Sequence, residues 1–146
     1  MKMKQRILFV DDDRRRTEIF VEMLRMEGYE VTFAATIKEA QKEFQERTSD
    51  FDLMILDIMM PLEDYVGENT IESRKRGITF LQRIRQARGK NKLPVIIFTV
   101  RHDEETRKQA FDAGCNEYLE KPCLPSKLLK EVKENLAWKS KDAFSK

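Results

Sequence analysis

Four short apolar runs in this chain each lead into a residue capable of chemistry. Ile7–Val10 ends on Asp11, Asp12 and Asp13, and Leu53–Leu56 ends on Asp57. Val95–Phe98 ends on Thr99, and Lys121 lies just past Tyr118–Leu119. Carboxylates held together disfavour one another's ionisation unless a proton or a cation intervenes. Oxygen donors alone select a hard divalent ion, and a small set of protein ligands with room for water suits Mg²⁺. With a metal in place, one carboxylate remains available as a nucleophile towards phosphorus. An ammonium and a hydroxyl can then hold phosphoryl oxygens, and the product is an aspartyl phosphate. That chemistry requires residues as far apart as Asp11 and Lys121 to meet.

The pattern of elements predicts that they do. The four runs read as strands buried on both faces, the one around Tyr118–Leu119 being the weakest. A fifth strand at 31–34 alternates Val31 and Phe33 with Thr32, which suits a place nearer an edge. Between them lie stripes at helical spacing: Ile19, Phe20, Met23 and Leu24; Ile37, Ala40 and Phe44; Phe80, Leu81, Ile84 and Ala87; Leu128, Leu129, Val132 and Leu136. Residues 103–113 supply a less decisive helix. Thr36 and Glu39 have the spacing of a capping box, and Gly28 and Gly114 follow helical runs where a left-handed residue is wanted. Pro125 suits a helix's first turn, and Asp13 reads as a cap or first-turn residue for a helix beginning near Arg14. A β-α unit repeated in this way predicts an α/β fold with a parallel sheet, helices on both faces and right-handed crossovers. Every strand then ends on the same edge, where ligands bind. Asp11, Asp12, Asp57, Thr99 and Lys121 are thereby expected on one rim.

Composition narrows the alternatives. A length of 146 residues is that of one ordinary domain, and 40% hydrophobic with 37% charged residues describes a soluble globular protein with a charged exterior. A net charge of +2 is too small to imply nucleic-acid binding by bulk electrostatics. Two cysteines make no disulfide framework, and no segment resembles a signal peptide or membrane span, so a cytoplasmic location is expected. The sole histidine is His102, which removes zinc centres and most histidine catalysis. No glycine-rich phosphate loop supports an enzyme acting on soluble phosphate esters.

The fragments ILFVDDD, DLMILDIMMP, LPVIIFTV and DAGCNEYLEKP together resemble a response-regulator receiver domain of two-component signalling. The intervals are similar as well: 45 positions from Asp12 to Asp57 and 22 from Thr99 to Lys121. The resemblance covers nearly the whole chain and implies a single receiver domain over residues 1–146. Its fold would be flavodoxin-like, (βα)5, with strand order 2-1-3-4-5. It implies that Asp57 accepts phosphate from a sensor histidine kinase or a phosphotransfer protein. Asp12 would bind Mg²⁺ directly, Asp11 largely through water, and the backbone carbonyl of Met59 would add a further oxygen. Thr99 would be the switch hydroxyl, Tyr118 the aromatic whose rotamer reports phosphorylation, and Lys121-Pro122 a cis peptide. The protein would be a switch that catalyses only its own modification, acting on an unknown downstream protein, without direct nucleic-acid or membrane contact. A homodimer is possible, and the alternative is a phosphorylation-independent interaction module on the same fold.

Several positions depart from that family's pattern. The glycine that normally follows soon after the proline, and at which the next helix begins, is delayed to Gly77 in GITFLQRIR, so an insertion spans about 62–76, acidic first and basic last; it is expected to begin beside the site and to shield it or influence partner choice. Val100 stands where a small residue is usual and narrows access beside Thr99. Met59 offers no help in positioning water, so slow loss of phosphate is expected. Ser126 replaces the arginine of a common receiver dimer, which that dimer needs. The last helix is expected to end near Trp138, leaving a short polar tail at 140–146. His102 is expected to be exposed and outside the chemistry, and Cys115 and Cys123 to be packing residues. Arg14–Arg16, cations at a helix N-terminus, run against the helix dipole and have no account from sequence.

Overall fold

The computed structural model describes residues 4–47, 51–60, 70–90 and 92–144. Strand β1 (Arg6–Val10) pairs in parallel with β2 (Glu30–Ala34) on one side and β3 (Leu53–Leu56) on the other. Strands β4 (Val95–Thr99) and β5 (Glu117–Glu120) follow, giving the order β2-β1-β3-β4-β5 among the described residues. The expected α/β sheet is therefore present, with β2 at an edge. Register carries the consequence for function. Val10 lies level with Leu56, so the residues that follow, Asp11 and Asp57, leave neighbouring strands at one height. The ladder continues one step beyond the strands: Asp57 N–H donates to Val10 O at 2.9 Å and Asp11 N–H to Ala34 O at 3.1 Å.

Side chains alternate across the sheet because the period of a strand is two. Ile7, Phe9, Ile55, Ile96 and Phe98 face helices α1 (Arg14–Met26) and α5 (Pro125–Phe144). Leu8, Val10, Met54, Leu56 and Ile97 face α2 (Ile37–Arg47), α3 (Thr70–Ala87) and α4 (Glu104–Ala113). Each of these strand side chains is at most 1% exposed, and burying one contributes about 1.5–3 kcal/mol. That is why these strands read as continuous apolar runs rather than as alternating ones. Among the described residues no helix is long and apolar enough to cross a membrane.

The helix ends follow local chemistry. Asp13 caps α1, its carboxylate accepting from Arg16 N–H at 3.0 Å. Thr36 Oγ1 accepts from Glu39 N–H at 3.0 Å, while the Glu39 carboxylate reaches back to Ala35 N–H at 2.6 Å rather than to Thr36. Asp103 caps α4, and the Thr106 hydroxyl it accepts from holds its carboxyl down to about 2. Gly28 and Gly114 have φ of 99° and 109°, and Pro125 is the first residue of α5. At the other end of the sheet, half-buried Arg85 donates to Gly114 O at 2.7 Å, Leu93 O at 2.8 Å and Asn116 Oδ1 at 2.7 Å. It thereby ties α3 to the segments entering β4 and β5.

Two boundaries differ from expectation. Residues 62–69 of the insertion at 62–76 lie outside the described residues, but α3 begins at Thr70 rather than near Gly77. Nothing in Thr-Ile-Glu-Ser-Arg-Lys-Arg breaks a helix, so the helix simply continues N-terminally past the expected start. Arg76 then donates to Met60 O at 3.1 Å, tying the added turns to the loop after β3. The last helix likewise passes Trp138 and runs to Phe144, because no glycine or proline stops it. Lys139 pairs with Asp52 at 3.2 Å and pins that extension to the sheet.

Gly77 now sits inside a helix, where glycine costs about 1 kcal/mol relative to alanine. Its retention has a steric reason: a β-carbon there would overlap the backbone of Ile58, the residue after Asp57. Gly77→Ala is therefore expected to lower the stability measured by urea unfolding by about 1–3 kcal/mol despite its better helix propensity. Gly28→Ala meets no neighbour within 4 Å and is expected to cost only the left-handed backbone term, about 1–2 kcal/mol.

Candidate functional site

The loops after β1, β3, β4 and β5 line one edge of the sheet, and the five expected residues meet there. Oxygen atoms of Asp11, Asp12 and Asp57 all lie within 4.8 Å of one another. Lys121 Nζ sits 2.6 Å from Asp11 Oδ2 and 3.2 Å from Asp57 Oδ2. Asp11 is 1% and Asp57 5% exposed, whereas Asp12 is open to solvent. Backbone donors orient the buried pair: Asp13 N–H reaches Asp11 Oδ1 and Met59 N–H reaches Asp57 Oδ1, both at 2.9 Å. The strand register brings Asp11 and Asp57 together. Lys121 is drawn in by its own N–H, which donates to Thr99 O at 2.8 Å as β5 ends beside β4.

The electrostatics record what this costs. Burial pushes the carboxyl pKa of Asp57 above its ordinary value, with Lys121, Met59 N–H and the Thr99 hydroxyl opposing. Burial also raises Asp11, against the pull of Lys121, and Asp57 adds to it. Asp12 is raised by burial and then by Asp11. Burial works against the charge on Lys121, but Asp57 and Asp11 outweigh it and hold its pKa up. One ammonium thus pairs with two of three carboxylates that each favour a proton more than usual. A hard divalent cation fits this all-oxygen donor set and would reverse that preference.

The cleft over the cluster encloses about 500 Å³. Its acidic floor gives way to an apolar wall that includes Phe20, Phe98, Val100 and Cys123. Thr99 is fully buried with its hydroxyl turned to Asp57, while neighbouring Val100 is 59% exposed at the cleft's lip. Tyr118 is turned inward and donates its hydroxyl to Arg101 O at 2.8 Å. Burial, then Asp103 and Glu120, push that phenol up to about 12. The Lys121-Pro122 bond is cis, as the resemblance implied.

Residues outside the expected set also find places. His102 is exposed as expected, yet its Nε2 contacts Lys121 O at 2.9 Å and its Nδ1 lies 3.5 Å from Glu120 Oε2. Sequence offered no signal for that contact, because it joins two loops that meet only in the fold. Cys115 is buried packing, its thiol pushed up to about 12 by burial, whereas Cys123 borders the cleft. Arg14, unexplained by sequence, lies over the Phe33 ring at 4.6 Å, and Arg16 lies 3.4 Å from the capping Asp13.

Comparison with known proteins agrees with this geometry. Residues 7–133 match the family model of the response regulator receiver domain. The chain is 32% identical over 128 residues to the transcriptional regulatory protein CpxR of Escherichia coli K12, covering 88% of this chain and 47% of that protein. It is 32% identical over 139 residues to the transcriptional regulatory protein ResD of Bacillus subtilis, covering 95% and 51%. The chain thus spans about half the length of these curated relatives. A CheY-like receiver domain protein from Methanospirillum hungatei superposes with a TM-score of 0.79 at 29% identity, covering 96% of this chain and 99% of that one. Proteins of this family are signalling switches rather than classical enzymes, bind Mg²⁺ at an acidic aspartate cluster, and interact with histidine kinases or phosphotransfer proteins. By its sequence match, its strand order and the aspartates grouped at its sheet edge, this chain belongs to the response regulator receiver domain family.

Proposed function

We propose that the chain, acting as one receiver domain over residues 1–146, is a Mg²⁺-dependent switch whose phosphoacceptor is Asp57. The donor would be a phosphohistidine on a sensor histidine kinase or phosphotransfer protein. The observation that carries this reading is the grouping of Asp11, Asp12 and Asp57 oxygens within 4.8 Å, with Lys121 paired to two of the carboxylates. Asp11, Asp12, Asp57 and the backbone carbonyl of Met59 would hold the metal. When bound, Mg²⁺ supplies neutralisation of the charge on the transferring group.

The chain's own residues account for the rest. Met59 N–H holds Asp57 Oδ1, and Oδ2, which now accepts from Lys121 at 3.2 Å, would be the oxygen directed at phosphorus once Lys121 turns away. Attack by Oδ2 forms the O–P bond as the P–N bond to the donor imidazole breaks, and the leaving imidazole takes its proton from solvent. Lys121, now shared with Asp11, then turns to a phosphoryl oxygen, and the Thr99 hydroxyl follows. Tyr118 is inward in this structure, so modification would shift the balance between this rotamer and an outward one. The surface formed by the last two strands and helices would change in consequence and alter binding of a downstream protein or a second copy. Proteins are the proposed partners, without direct nucleic-acid or membrane contact, and the proposed location is cytoplasmic. The segment 62–76 would influence partner choice, its described end being tied to the loop after β3 through Arg76.

The direct test is phosphate incorporation from phosphoramidate. It is expected to require Mg²⁺, to vanish in Asp57→Asn and to fall at least tenfold, about 1.4 kcal/mol, in Lys121→Ala. Uptake that persists in Asp57→Asn would sink the reading. Met59→Asn is expected to shorten the lifetime of the phosphorylated protein severalfold, because an amide can orient the attacking water and a thioether cannot.

Stability gives an independent measure. Asp57 has a folded pKa above its ordinary 3.8, so the folded state binds its proton more readily than the unfolded state does. Its ionisation therefore costs stability, and that cost is absent below the ordinary value and complete above the raised one. In metal-free buffer Asp57→Asn is expected to melt several degrees above wild type at pH 7, with the gap closing as pH falls through the raised value towards 3.8. Added Mg²⁺ should raise the wild-type midpoint and leave the variant's nearly unmoved.

A further inference from the structure

We infer that Phe98 is a positioning residue for Lys121, the face of its ring holding the ammonium in place beside Asp11 and Asp57. The inference rests on the reading that Lys121 receives a phosphoryl oxygen. Lys121 Nζ lies over the Phe98 ring, 5.2 Å from its centroid. The same nitrogen donates to Asp11 Oδ2 at 2.6 Å and to Asp57 Oδ2 at 3.2 Å. An ammonium has three donors. Two are used by carboxylates, and a third facing an aliphatic wall would be desolvated without return. The negative face of an aromatic ring supplies attraction there without adding charge to a cluster already crowded with it.

The ring is itself held. Phe98 is 1% exposed, and Phe20 meets it at 5.1 Å and 76° while Phe9 meets it at 6.5 Å and 71°. These are edge contacts of the kind aromatic pairs prefer. Backbone pairing sets ring and lysine in a constant relation, since Phe98 is level with Leu119 and Lys121 N–H bonds to Thr99 O at 2.8 Å. A lysine side chain is long and has many rotamers, and the cleft beside it is open. The ring therefore does what the carboxylates cannot do once phosphate arrives. Asp57 changes its charge and geometry on modification, whereas the ring keeps its attraction throughout and keeps Nζ in the site as it changes partners.

A fluorine series at position 98 isolates this effect. Phenylalanine, 4-fluoro-, 3,5-difluoro- and 3,4,5-trifluorophenylalanine drain the ring face in steps while keeping its shape. With phosphoramidate and saturating Mg²⁺, the initial rate of phosphorylation is expected to fall stepwise, about tenfold from first to last. Phe98→Leu should be at least as slow as the trifluoro protein. Mg²⁺ affinity, set by the carboxylates, should stay within about twofold, as expected for a group that acts on the lysine alone. The same thermal midpoint through the fluorinated series would exclude a packing cause. A flat rate across the series in protein that is modified at Asp57 overturns the inference and leaves the phosphoacceptor reading intact. Modification that survives Asp57→Asn overturns that reading, and this inference with it.

Discussion

The pairing of one ammonium with two buried carboxylates is the interaction around which the sheet edge is organised. Lys121 lies 2.6 Å from Asp11 and 3.2 Å from Asp57, and all three are largely removed from water. Taking such charges from water costs several kcal/mol per ion, and a buried pair recovers this only with good geometry and further hydrogen bonds. Here those bonds come from the amides of Asp13 and Met59. Even so, Asp11, Asp12 and Asp57 all remain raised above their ordinary values. The cluster is thus a local expense that the core has to offset, and it leaves the site receptive to a cation.

What offsets it is a sheet buried on both sides. The alternation that sends Phe9, Ile55 and Phe98 to one layer and Leu8, Leu56 and Ile97 to the other gives two apolar clusters separated by a single sheet. Far from the rim, Arg85 binds three acceptors across the segments entering β4 and β5. Near the rim, Gly77 lets α3 press against the backbone of Ile58, one residue beyond Asp57. Firm packing at these points leaves adjustment to the end of β4, the loop after it and the Tyr118 side chain of β5 that bonds to that loop, which is where Thr99, Val100 and His102 are found. A modification at the cluster would therefore be felt first on that side of the molecule.

Much of this was legible in the residues. The β-α alternation required a parallel sheet, and a parallel sheet required Asp11, Asp12, Asp57, Thr99 and Lys121 to share an edge. Gly28, Gly114, Asp13 and Pro125 marked helix ends because each answers a local backbone need. The two helix boundaries that differ from expectation, the start of α3 and the end of α5, lack such a marker. Gly77 reads along the chain as a helix start, although its reason for being glycine is a close approach to Ile58, a contact invisible in sequence. The far end of α5 carried no stop signal of any kind, and the tie between Lys139 and Asp52 links residues of two distant segments.

Sequence alone determined the fold class and the identity of the clustered groups, because strand and helix periods, caps and strand-end residues are local properties. Tertiary structure decided how those groups share charge. Only the folded chain sets Lys121 against Asp11 and Asp57 rather than Asp12, turns Tyr118 onto Arg101 O, and brings His102 to Lys121 O. It alone lays the Phe98 ring beneath the ammonium and the Phe33 ring beneath Arg14. Such interactions depend on distance and burial to within an ångström or so, and no periodicity in the chain encodes that.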